Sequence, residues 1–165
     1  MIKALFERVS VREFTSDRVE DEKIELILKA AMAAASAGNQ QPWEFIVIRN
    51  RKILEELSKV HRYAQAIKNS NCTILACFKE NGLKYPEYAQ IDMAIACDNI
   101  LLQAQDCGLG AVWIGIAPEL ESMEYVEKIV GLKDMRAFAL IPIGTPKKIK
   151  QATNRFDSKR IHYLD

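Results

Sequence analysis

Histidine, cysteine, glycine and proline are all scarce in this chain, and each scarcity closes off a class of function. Two histidines (His61 and His162) and four cysteines (Cys72, Cys77, Cys97 and Cys107) are spread over 165 residues. No two cysteines form a CxxC pair and neither histidine stands near them, so metal-site spacing is missing. Scattered cysteines in apolar surroundings read as small buried thiols in a reducing compartment. With seven glycines and five prolines there is no linker, repeat or low-complexity stretch, hence no domain boundary. GxSxG, HExxH, a Walker loop and a complete GxGxxG are all absent. The Gly108-Leu109-Gly110 pair follows a helical pattern rather than a strand, which excludes a dinucleotide-binding loop.

Charge is just as uninformative. Twenty-three Lys+Arg against 22 Asp+Glu leave +1, so no global field favours nucleic acid or an anionic membrane. Apolar stretches are broken by Asp, Asn or Gln, leaving no membrane span. The start, MIKALFERVS, is too short and too charged for a signal peptide. A cytoplasmic location is the expectation. At 49% hydrophobic and 27% charged, the chain reads as one domain over residues 1–165, burying roughly two thirds of its unfolded surface.

Two stretches stand out against this background. In Arg8-Val9-Ser10-Val11-Arg12, polar residues alternate with valines. An extended backbone would put Arg8, Ser10 and Arg12 on one side. Two guanidiniums flanking a hydroxyl suit a phosphate, because the guanidinium fork matches its oxygens. An exposed edge with solvated arginines fits the same pattern. The second stretch, Ala30–Ile48, runs from an alanine-rich helix end through Gly38-Asn39-Gln40-Gln41 and Pro42 into an apolar strand. Small residues admit something flat and the amides offer a polar edge, although turn chemistry alone also explains Asn39 and Gln41. Pro42 predicts an extended Gln41.

The remaining periodicities predict a short helix over Ile2–Glu7 and another over Glu20–Ala35, ended by Gly38. A strand follows at Glu44–Ile48, then a surface helix at Arg51–Val60, a strand at Cys72–Phe78 and a loop over Glu80–Glu87. The long helix Tyr88–Cys107 is apolar almost all round, with Asp92, Asn99, Gln103 and Asp106 as a narrow polar stripe; such a helix belongs in an interior or a subunit interface. A strand over Ala111–Ile116, a helix over Glu119–Val130 and a strand over Ala137–Ile143 complete the core. From Gly144 the tail is basic and extended. The sum is an α+β domain with an anion site and an amide-rich turn but no acid–base pair, since neither histidine sits in a candidate cradle. That suits an organic cofactor that carries the chemistry.

Four ordered segments, RVSVREF, SAGNQQPWEFIVI, IDMAIACDNILLQAQDCGLGAVWIG and the RFDSKRIHY tail, resemble the FMN-dependent nitroreductase family, in a compact form. The resemblance implies a central, mostly antiparallel sheet of four to five strands flanked by helices, in an obligate homodimer with FMN at the subunit interface. By position, Arg8 and Arg12 would meet the FMN phosphate, with Ser10 in the same segment. Asn39 and Gln41 would meet the isoalloxazine and ribityl groups, with Ser36 in their turn. The backbone of Trp113-Ile114-Gly115 would lie near the ring, and Arg155 in the tail would reach the phosphate region. Ala35 stands where the family often has proline and Val9 where it often has a basic residue. The shortness of the chain implies an absent or reduced lid over the site. The implied activity passes a hydride from NADH or NADPH through FMN to a nitroaromatic, quinone or similar acceptor, with no catalytic side chain indicated. A non-catalytic FMN-binding or regulatory protein, or a homodimer binding another phosphate ester, would share the cradle.

Overall fold

The computed structural model describes residues 1–164; Asp165, the last residue of the expected domain and tail, lies outside the described residues. Five antiparallel strands form the sheet. β1 (Trp43–Ile48) pairs with β2 (Cys72–Lys79), which pairs with β5 (Met135–Gly144), and two short strands, β3 (Gly110–Ala111) and β4 (Ile114–Gly115), share the far edge of β5. Strand alternation sorts β2 and β5 into two cores. Ile74, Ala76, Ile141 and Ile143 face one side, whereas Leu75, Cys77 and Leu140 face the other.

Helices cover both faces, which is why β2 and β5 read as continuous apolar runs. On one side lie α2 (Asp21–Met32) and α5 (Ala89–Asp106), contributing Ile24, Ile27, Met93 and Ile100. On the other, α3 (Arg51–Leu57), α4 (Ala66–Asn69) and α6 (Leu120–Val130) supply Leu54, Leu57, Ile67, Met123 and Val126. Asn50 caps α3, its side-chain oxygen accepting from Lys52 N–H at 3.0 Å and Ile53 N–H at 3.3 Å. The N-terminal helix, α1 (Lys3–Glu7), leads into the Arg8–Arg12 segment. The α4 turn has no counterpart among the expected elements.

Four expectations change. The strand expected over Ala111–Ile116 is interrupted at Val112–Trp113, although β3 and β4 keep one register against β5 (Ala111 opposite Ile143, Ile114 opposite Leu140). The residue facing Val112 is Pro142, which has no N–H to give, and only the Val112 N–H to Pro142 O bond remains, at 3.4 Å. Second, α2 stops at Met32, before Ala35. Ser36 is already extended (φ −144°), and Gly38 serves a 3-10 turn over Ala37–Asn39 instead of the helix exit. Third, Gln41 is not extended: its φ is +48°, and Asn39 has +55°. The Gln41 N–H donates to Ser36 Oγ at 3.0 Å, a bond that holds the turn against the preference set by Pro42. Fourth, Asp92 is no part of a solvated stripe, being 2% exposed.

The start of the tail is pinned. The Thr15 N–H donates to Thr145 O at 2.9 Å and the Lys147 N–H to Glu13 O at 3.1 Å. Beyond it, among the described residues, the one regular element is a 3-10 turn at Ser158–Arg160. Between β2 and α5 there is likewise only a 3-10 turn, Pro86–Tyr88.

Candidate active site

Arg8, Ser10 and Arg12 reach their positions because their segment lies beside β3. The Val11 N–H donates to Ala111 O at 3.0 Å and Ser10 bridges Ala111 in parallel. Val11 turns inward and is buried. The polar side chains of Arg8, Ser10 and Arg12 line a cleft of about 760 Å³, and the tail crosses its other wall with Gln151–Phe156, Arg155 included. The four residues proposed for an anion therefore meet, although they come from opposite ends of the chain. Among the described residues, none of these three arginines is in an ion pair.

Arg12 also lines a second cleft, of about 610 Å³, walled by Trp113, Ile114 and Gly115 on one side and by His61, Tyr63 and Gln65 on another. Trp113 is set edge-on against Phe138, with ring centroids 5.6 Å apart. His61 thus sits at a candidate cradle after all. Its Nε2 lies 3.0 Å from Gly115 O and its Nδ1 accepts the Tyr63 N–H at 3.2 Å. Those partners assign a neutral ring with the proton on Nε2, donating to the carbonyl. Both nitrogens are occupied, so His61 steadies the strand end and is not a free base. With the partners 54 positions apart, no local pattern announces this contact.

Ser36, Asn39 and Gln41 line neither of these two clefts. They form an exposed turn in which Gln41 Nε2 donates to Asn39 Oδ1 at 3.2 Å. Behind it, Gln40 and the buried Asp92 bond to each other at 2.7 Å. The alternation of apolar and polar residues in α5 gives no reason to single out Asp92.

The cysteines take no part in this chemistry. Burial pushes the Cys77 thiol up to about 12, and pushes Cys72 and Cys97 up as well. A raised pKa keeps each protonated at neutral pH. Treatment of the native protein with iodoacetamide near neutral pH is therefore expected to leave Cys72, Cys77 and Cys97 unmodified, and denaturant to expose all four cysteines. Peptide mass mapping reads the result; alkylation of Cys77 in the native state would show the core to be looser than described. Among the described residues no group of three or more His, Cys, Asp or Glu side chains could hold a metal, and no helix is long and apolar enough to cross a membrane.

Residues 5–70 and 58–145 match the family model described as the nitroreductase family. The chain belongs to that family. It is 38% identical to a protein of Archaeoglobus fulgidus provisionally named NADH dehydrogenase/NAD(P)H nitroreductase, over 98% of this chain and 95% of the relative. Its fold is similar to that of a Clostridium acetobutylicum protein provisionally called an NADH oxidase, with a TM-score of 0.95, 40% identity, and 98% and 99% of the two chains covered. A Desulfovibrio desulfuricans protein provisionally called a nitroreductase, solved in complex with FMN, matches with a TM-score of 0.86 and 26% identity over 99% and 96% of the chains. The five-stranded antiparallel sheet with helices on both faces is thus the nitroreductase fold.

Proposed function

We propose that this nitroreductase-family chain is an FMN-dependent oxidoreductase that uses NADH or NADPH to reduce a nitroaromatic, a quinone or a similar acceptor. The observation that carries this reading is the convergence of Arg8, Ser10, Arg12 and Arg155 on one cleft. Its volume suits a small organic ligand. Three unpaired guanidiniums and a hydroxyl suit a phosphate monoester. The residues present therefore fit FMN.

When bound, FMN supplies the two-electron chemistry and the protein supplies placement. Arg8, Arg12 and Arg155 hold the phosphate with paired donors, and Ser10 adds a hydroxyl. Arg12 leads from that cleft to the second one, where the backbone of Ile114 and Gly115 forms a wall for a planar ring. His61 fixes the Gly115 carbonyl, and Trp113 is braced by Phe138. Ser36, Asn39 and Gln41 supply amides and a hydroxyl to the ring and ribityl groups. Because they line neither cleft of their own chain, the partner subunit's copy of this turn completes the site.

That arrangement requires a homodimer. Its support is the apolar surface left open on one chain: Phe6 is 63% exposed, Ile91 56% and Phe156 75%. One domain over residues 1–165, with 144–165 as a tail laid across the partner, accounts for both the exposed helix face and the extended C-terminal segment. Four free cysteines support a cytoplasmic setting. The acceptor assignment is tested with FMN-loaded protein and saturating NADH or NADPH, varying a nitroaromatic or a quinone. Turnover that depends on the acceptor supports it. Steady oxidation of the nicotinamide with neither acceptor reduced would remove it.

A further inference from the structure

The amide turn is fastened from behind by a buried carboxylate, and the hydrogen bonds there form a closed chain. Asp92 sits in the first turn of α5 and is 2% exposed. Its Oδ1 accepts the Ala37 N–H at 2.9 Å and its Oδ2 accepts from Gln40 Nε2 at 2.7 Å. The Gln40 amide is clamped again by residue 85: its Oε1 accepts the Tyr85 N–H at 2.9 Å, and its Nε2 also donates to Tyr85 O at 2.9 Å. The Tyr85 ring lies over Gly38, so close that a Cβ on residue 38 would stand 2.5 Å from Tyr85 Cε2. No Lys, Arg or His pairs with Asp92 among the described residues.

Burying a carboxylate without a cation is costly unless donors surround it. Here both oxygens point to the one segment that carries Asn39 and Gln41, residues held at φ +55° and +48°. Conformations of that kind persist only where their surroundings over-determine them. Ala37 and Gln40 bracket Asn39, so pinning both leaves the intervening backbone little freedom.

We infer that Asp92, acting through Gln40 and Tyr85, is a positioning residue for flavin binding that fixes the Ser36–Gln41 turn. The inference rests on the functional reading above, in which that turn serves the ring and ribityl groups. It assigns Asp92 and Gln40 to the ring and ribityl end of the site, separate from the arginines at the phosphate end.

The donor–acceptor order makes a specific prediction. In Asp92→Asn, the side-chain oxygen still accepts from Ala37, but the new amide donor faces the Gln40 Nε2 donor. Flipping Gln40 moves the conflict to Tyr85, setting the amide nitrogen against its N–H and the amide oxygen against its carbonyl. Adding Gln40→Glu restores an acceptor toward both the new amide and the Tyr85 N–H, but it sets a carboxylate oxygen against Tyr85 O, which the Gln40 amide had bonded at 2.9 Å, so the repair is partial.

The test titrates FMN and riboflavin into full-length wild type, D92N, D92N/Q40E and R8A, with the visible spectrum of the bound flavin recorded for each. D92N is expected to weaken both flavins by the same factor, about tenfold, and to change the spectrum. D92N/Q40E is expected to recover part of both, whereas R8A weakens FMN alone. D92N with unchanged affinities and spectrum overturns the inference. A double variant that regains the wild-type thermal midpoint without regaining flavin affinity also overturns it, because the role would then be stability only. If wild type binds neither flavin, the functional reading itself fails and takes the inference with it.

Discussion

Replacing Arg8 and Arg12 together with alanine is expected to weaken FMN binding by roughly a thousandfold, at about 1.5–3 kcal/mol for each charge-assisted hydrogen bond to the phosphate that is removed. Both side chains line the cleft that Arg155 enters from the tail, and among the described residues neither is paired with a carboxylate. Their removal therefore strands no buried acid, and the fold should keep its thermal midpoint. Riboflavin, which lacks the phosphate, should bind almost as well as before. Lysine at the two positions should recover part of the affinity, because it keeps the charge but gives up the paired donors. Binding of FMN to wild type should also weaken with added salt. Flavin fluorescence titrations measure all of these. Equal weakening of FMN and riboflavin would move the arginines away from the phosphate.

Gly110→Ala is expected to damage the same site through the backbone. A Cβ on residue 110 would stand 2.6 Å from Val11 Cβ and 2.7 Å from both of its methyl carbons. Valine cannot turn its Cβ aside, so the Arg8–Arg12 segment must shift away from β3. Overpacking of this kind costs about 1–3 kcal/mol, visible as a lower urea midpoint. The displaced segment carries two of the three phosphate arginines. FMN affinity should therefore fall more than riboflavin affinity, although residue 110 lines no part of the arginine cleft. A variant with wild-type stability and FMN affinity would show that this close approach does not set the site.

How far the sequence reveals this protein follows from the range of the interactions involved. The alternation of Arg8, Ser10 and Arg12 with valines is local, and the structure keeps it in part: Val11 is buried and the three polar residues share a cleft, but Val9 lines that cleft with them. Gly108, just past α5, and Gly131, the cap of α6, are local signals, as are the apolar runs of β2 and β5. Features set by long-range partners stay hidden. The break between β3 and β4 depends on Pro142 lying opposite Val112, and no reading of either segment alone gives that register. Asp92 reads as part of a polar stripe because its partners, Ala37 and Gln40, lie 55 and 52 residues away. A similar distance hides His61 from Gly115. Gln41 shows a local rule overridden: the proline after it favours an extended backbone, yet its hydrogen bond to Ser36 holds the left-handed one.

These hidden contacts share a function in the proposed site. His61 fixes the strand end at Gly115, Asp92 fixes the amide turn, and the Val11–Ala111 bond fixes the arginine segment. Asp92 and the Val11–Ala111 bond do so without lining either cleft, whereas His61 also lines the second one; in this way a protein supplies orientation while a cofactor carries the reaction.

The central claim is that this chain binds FMN in its arginine-lined cleft and reduces it with a nicotinamide donor. Mixing FMN-loaded protein with NADH or NADPH in the absence of oxygen, while following the visible flavin band, tests it most directly. The expected result is bleaching by at least one donor and return of the band when a quinone or nitroaromatic is added. A protein that takes up no FMN, or whose bound flavin stays oxidised with both donors, would contradict the account.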